Sequence, residues 1–139
     1  MDVPTTINEY LDSLSENTKE ELTFFHQKVL EKYPNCRIWF LDGKDATGKV
    51  ISNPNMGYGS ILLPTKTNVN REFYKLGISA NSKGFSIYFM GLTDRNLIQK
   101  HLGHFFPNSK ITGYCLNLKS IKNVELAILE KLIQFGMNN

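Results

Sequence analysis

The sequence predicts an α+β fold, in which an antiparallel sheet of about five strands is packed by N- and C-terminal helices. Three observations carry that expectation. Apolar residues recur at helical spacing at both ends of the chain, and short runs rich in aromatic and branched residues fill the middle. Turn residues separate those runs too closely for parallel crossovers, which need a dozen or more residues. The 139 residues are expected to form a single domain, 1–139, burying roughly two-thirds of the surface of the unfolded chain.

Thr6 and Glu9 stand at capping-box spacing and open a segment carrying Ile7, Tyr10, Leu11 and Leu14. Asn17 with Glu20 starts a longer helix whose inner stripe is Leu22, Phe25, His26, Val29 and Tyr33, and Pro34 ends it. Strands are expected at Cys36–Leu41, Gly57–Leu63, Phe73–Ser79 and Phe85–Met90, with a fifth around Lys49–Ser52. Turns at Asp42-Gly43, Thr47-Gly48, Asn68–Asn70 and Asn81–Gly84 divide them. Thr93 is expected to cap a helix through Leu97, Ile98, His101 and Leu102 that stops at Gly103. An extended stretch, Ile111–Leu118, precedes a last helix with Val124, Ile128, Leu132 and Phe135, stopped by Gly136.

Composition bounds the function. Sixteen basic and thirteen acidic residues leave a net charge of +3, too mild and too dispersed to point to nucleic acid. No apolar run approaches the length of a membrane span, and Met1–Tyr10 lacks the basic start and apolar stretch of a signal peptide. Cys36 and Cys115 are the only cysteines and read as two reduced thiols rather than a disulfide framework. The expectation is a cytoplasmic protein without nucleic-acid or membrane partners, its oligomeric state left open.

Few motifs carry chemistry. Gly43–Val50 follows the phosphate-loop pattern until its last position, where Val50 replaces the hydroxyl residue that would hold magnesium. Ile51-Ser52-Asn53-Pro54 also cannot continue the helix such a loop must open, so a hairpin is expected there. His101 and His104, three apart at a helix end, are the candidate metal ligands, weighed against helix-terminal histidines that answer the dipole. No cofactor is expected, with weakly bound iron as the alternative. His26 reads as a core residue, and no local motif joins a cysteine to a histidine for catalysis.

Strand parity marks the best candidate surface. Alternation puts Arg37 and Trp39 on one face and Cys36, Ile38 and Phe40 on the other, and it sets Ser86 and Tyr88 against Phe85, Ile87 and Phe89. The same reading sets Tyr58 and Ser60 against Ile61 and Leu63. One sheet face is then purely apolar, while the other mixes aromatic rings, an arginine and hydroxyls. Arg37, Trp39, Asn55, Tyr58 and Tyr88 are the expected ligand-binding residues, for a small molecule or a partner protein.

Five short motifs in order also resemble the YdhG-like family, a bacterial domain family of unknown function. They are Asn53–Ser60, Gly77-Ile78-Ser79, Ser86–Met90, Leu102-Gly103 and Thr112–Leu116, followed by a similar closing helix, Val124–Ile133. The opening Ile7–Leu11 is also similar to the start of the family's shorter members. The resemblance covers nearly the whole chain and implies a compact domain with frataxin-like layering of helices on an antiparallel sheet. It also implies an intracellular iron-chaperone role, as some members are treated, which would rely on exposed carboxylates. The early acidic cluster here is Glu16, Glu20 and Glu21. The leading expectation is a non-enzymatic binding module of this family. The alternatives are an iron chaperone and a thiol or acid–base enzyme using Cys115.

Overall fold

The computed structural model describes residues 2–63 and 70–139. The turn read at Asn68–Asn70 lies partly outside those residues. The chain begins with α1 (Val3–Asp12) and α2 (Glu16–Lys32). Asp2, not Thr6, caps α1: its carboxylate accepts the Thr5 amide at 2.8 Å, and Thr6 already lies in the first turn. α2 stops two residues before Pro34, as the missing amide of proline requires.

The strands are β1 (Ile38–Leu41), β2 (Asn55–Tyr58), β3 (Ile61–Leu63), β4 (Arg71–Phe73), β5 (Leu76–Asn81) and β6 (Gly84–Phe89). After α3 (Asn96–Leu102) and a 3-10 turn at Gly103–Phe105 come β7 (Ile111–Thr112), β8 (Cys115–Leu118) and α4 (Leu126–Asn138). Every pairing is antiparallel, in a six-stranded sheet of order β1-β2-β5-β6-β8-β7 with β3 and β4 as a separate two-stranded arm. The fold is therefore the α+β architecture expected, with helices from both ends of the chain on an antiparallel sheet.

The differences from expectation have local causes. Gly57–Leu63 is two strands because Gly59 sits at φ 81°, which swings the chain out of the main sheet into the arm. Phe73–Ser79 breaks opposite that bend: the Lys75 amide donates to the Tyr58 carbonyl at 3.0 Å, after which β5 rejoins β2. Lys49–Ser52 forms no strand, only an isolated bridge between Lys44 and Val50. Asp94 rather than Thr93 holds the start of α3 through the Asn96 amide at 2.8 Å. Gly136 lies inside α4, where a Cβ would stand 2.7 Å from Leu76 Cδ1, so it marks a close helix–sheet contact rather than a stop.

Register fixes the two sheet faces. Ile38, Tyr58, Leu76 and Phe89 follow one another across β1, β2, β5 and β6, as do Phe40, Met56, Ile78, Ile87 and Leu116 from β1 to β8. This face is buried against Ile7 and Leu11 of α1, Leu22, Phe25 and Val29 of α2, Ile98 of α3 and Leu129, Leu132 and Ile133 of α4. Its outward neighbours on the same strands form the other face, which carries the candidate site.

Candidate functional site

Two rows cross the second face. One runs Trp39, Gly57, Gly77, Tyr88 and Cys115; the other runs Leu41, Asn55, Ser79, Ser86 and Asn117. The two facing glycines make a bare track, and the ring of Tyr74 lies flat upon it. A Cβ on Gly57 would stand 2.7 Å from Tyr74 Cβ, and one on Gly77 2.6 Å from Tyr74 Cζ. Tyr74 is thereby buried, and its hydroxyl donates to Asn55 Oδ1 at 3.0 Å.

Tyr74 anchors an aromatic corner. Phe73 stacks on it at 4.2 Å between centroids and meets Trp39 edge-on at 5.9 Å. The Trp39 indole donates to the Gly59 carbonyl at 2.8 Å, so the bend that ejects the arm also pins the tryptophan. The Arg37 guanidinium lies 3.8 Å from the ring centre of Trp39 and pairs with Glu72, and Arg71 lies over Phe73 at 4.9 Å. Both side chains of the Arg37–Glu72 pair are about half exposed. Cation and ring are thus held together at an edge of the sheet that a ligand can reach.

Beyond the corner the face is an uncharged hydrogen-bonded lattice. Ser79 and Tyr88 share a bond of 2.9 Å, Asn81 Nδ2 donates to Ser86 Oγ at 3.1 Å, and Ser86 Oγ donates to Asn117 Oδ1 at 2.9 Å. Asn117 Nδ2 closes the chain on the Lys110 carbonyl at 3.2 Å. Burial pushes the Tyr74 phenol well above its ordinary range, with the neighbouring Tyr88 and Cys115 adding to it, and burial likewise raises the Cys115 thiol. Among the described residues, every buried side-chain nitrogen and oxygen has a partner. This part of the face presents neutral donors and acceptors.

Arg37, Trp39 and Tyr88 are found on the face where parity put them, and Asn55, which parity did not place, lies on the same face. Arg37 and Trp39 belong to the corner, Asn55 lies beneath Tyr74, and Tyr88 joins the lattice. Tyr58 is corrected. It is fully buried on the opposite face, opposite Ile38, where its hydroxyl shares a 2.7 Å hydrogen bond with His26 Nδ1. Parity counted from Ser60 fails because Gly59 ends the strand between them. Burial raises the Tyr58 phenol far above its usual range and lowers the partly buried His26, favouring the neutral form of each. Sequence reasoning missed Phe73 and Tyr74, whose only signal was the pair of glycines later found facing each other.

The other candidates are dispersed. His101 packs on Phe135 at 5.4 Å and lines a depression of about 280 Å³, whereas His104 lies tilted against Phe105 at 3.9 Å. Among the described residues, no group of three or more His, Cys, Asp or Glu side chains is placed to hold a metal. Glu21 is no exposed carboxylate. It is 4% exposed and accepts from Ser120 Oγ at 2.6 Å and from the Ile121 and Lys122 amides at 2.8 and 3.1 Å. Burial would raise it, but those three donors prevail and hold it below the usual carboxylate value. In the loop resembling a phosphate cradle, the Thr47 and Lys49 amides point at Asp45 Oδ1, at 2.9 and 3.1 Å. Its donors already serve a carboxylate of the chain.

Against protein-family models, curated proteins and solved structures the chain matches none. No helix of the described residues is long and apolar enough to cross a membrane.

Proposed function

We propose that this protein is a non-enzymatic binding module that engages a small molecule or a partner protein through the corner formed by Arg37, Trp39 and Phe73. The observation that carries the reading is the Arg37 guanidinium stacked on a tryptophan whose ring is itself pinned by the Gly59 carbonyl. A rigid aromatic ring and a half-exposed cation at one place offer apolar area, a cation–π platform and directed donors at low ordering cost. Asn55 and Tyr88 support this corner from beneath and beside it. Tyr58 takes no part.

Both thiols are raised by burial, which favours the protonated sulfur and weighs against a thiol nucleophile at Cys115. The ordered motifs support membership of the YdhG-like family. Two free cysteines, Cys36 and Cys115, fit a reducing bacterial cytoplasm.

Trp39 is the only tryptophan, so its fluorescence reports on the site directly. Candidate ligands that bind there should shift Trp39 emission saturably. They should also raise the melting temperature, by the equivalent of about 2.7 kcal/mol at a hundredfold excess over Kd. Trp39→Ala should abolish the melting shift while the protein still unfolds cooperatively. A ligand whose melting shift survives in Trp39→Ala binds elsewhere and would refute the proposed surface.

A further inference from the structure

At the sheet edge opposite Trp39, three strand ends converge on a cleft of about 890 Å³. The hairpin joining β5 to β6 turns through Ser82-Lys83, with Asn81 Oδ1 accepting the Lys83 amide at 2.9 Å. Lys110 leads into β7 and is tied by its carbonyl to the Asn117 amide at 2.9 Å. Lys119 follows directly after β8, which ends opposite Phe85. Backbone pairing therefore brings Lys83, Lys110 and Lys119 to one cleft from three separate segments. No carboxylate lines it, and none of the three lysines is in an ion pair among the described residues.

We infer that this cleft binds a phosphorylated small molecule with a polar, sugar-like body. The charge argument is direct. Three lysines lining one concave space, with no carboxylate among its lining residues, favour an anion there. The cleft leaves room for more than a bare oxyanion, since its volume falls near the top of the roughly 300–1,000 Å³ range of small-molecule sites. The lining also suits a polar body, because Ser82, Asn108, Thr112 and Asn123 contribute hydroxyl and amide groups to its walls. Phe85 and Phe106 line the cleft but are only 3% and 8% exposed, so they offer no platform for stacked bases. That disfavours single-stranded nucleic acid, whose binding grooves combine basic tracks with exposed rings. This site shares no residue with the Trp39 corner, so either can fail without the other.

The test is a titration of the isotope-labelled protein followed by amide chemical shifts, with ribose 5-phosphate as the probe and ribose and inorganic phosphate as controls. Ribose 5-phosphate should bind saturably with Kd at or below about 1 mM, inorganic phosphate more weakly, and ribose without saturation. The shifts should centre on Lys83, Lys110 and Asn117. Because the lysines are exposed, Lys83→Gln combined with Lys110→Gln should keep the melting temperature and weaken binding by at least about tenfold. Affinity should also fall with added salt. Unchanged affinity in the double variant, equal binding of ribose, or shifts centred on Trp39 would each overturn the assignment. So would the absence of saturation by both phosphates up to about 10 mM, or tighter binding of a short oligonucleotide than of ribose 5-phosphate.

Discussion

The two faces of the main sheet share one backbone and obey opposite rules. Ile78 and Ser79 are adjacent in β5, both almost without solvent exposure, yet Ile78 meets a packed apolar layer and Ser79 a hydroxyl. On the helical face, stability comes from area removed from water, which is non-directional and tolerant of which apolar group supplies it. On the other face it comes from bonds that each require one partner at one place, so its composition is open to selection for binding. The comparison teaches where function can be carried. A surface whose polar groups are already satisfied by one another stays ordered without a ligand and can be tuned residue by residue.

The sharpest way to break this contrast is to substitute the two neighbours separately. Ile78→Ala should destabilise by about 2–5 kcal/mol, since both the transfer free energy and a cavity are lost. Ser79→Ala should lower stability by about 1 kcal/mol, because Tyr88 is only partly buried and its hydroxyl can turn to water. Denaturant unfolding measures both. Similar values for the two would mean that the second face is as tightly packed as the first, and the distinction would fall.

Next in size is the glycine track. Gly77→Ala forces the Tyr74 ring off the sheet and should cost about 1–3 kcal/mol by overpacking. The effect should travel, because Tyr74 stacks on Phe73 and Phe73 meets Trp39. Trp39 emission should therefore shift in this variant but not in Ile78→Ala. An unshifted Trp39 spectrum would show that the corner is built without Tyr74.

Acid should separate the two kinds of buried polar group. His26 has its folded pKa below its ordinary 6.5 because it is buried, so the unfolded chain takes up the proton more readily. Its contribution is complete above pH 6.5 and is lost as pH falls toward the folded value. Glu21 is lowered from 4.5, so its contribution is complete above pH 4.5 and lost as pH falls further. Stability should thus decline in two stages on acidification. His26→Gln should remove the part that begins below pH 6.5 and leave the second stage intact, as urea midpoints across pH would record.

How far these features were legible in the sequence depends on how local their causes are. Parity within β1 and β6 placed Trp39 and Tyr88 correctly, because both strands run unbroken through those residues. It misplaced Tyr58 because a single residue, Gly59, ends β2 and the count restarts in the arm. Tyr74 was beyond local reading altogether. Its position depends on Gly57 and Gly77 falling opposite each other, which is a property of register between strands about twenty residues apart. The lysine cleft is the same kind of feature, since Lys83, Lys110 and Lys119 become neighbours only through pairing of β6, β7 and β8. Helix starts shifted by a few residues, where Asp2 four residues before Thr6 and Asp94 one residue after Thr93 accepted the helix amides instead.

The smallest effect is expected where neither face is involved. Asp45 organises the Gly43–Val50 loop by accepting from the Thr47 amide, the Lys49 amide and the Thr47 hydroxyl. The Thr47 bonds are the main cause of its lowered pKa. These donors are the ones that would have to face an incoming phosphate if the glycine–lysine pattern were a nucleotide loop. Asp45→Ala frees them, so hydrogen exchange at Thr47 and Lys49 should accelerate while the melting temperature stays where it was. The outcome separates two meanings of the same motif. A phosphate cradle keeps its amides open for a ligand and should gain anion affinity little or not at all when a neighbouring side chain is trimmed. A loop closed on its own carboxylate should show exchange that depends on Asp45 alone. Slow exchange persisting in Asp45→Ala would mean that something other than this carboxylate holds the loop, and the reading of Asp45 as its organiser would fall.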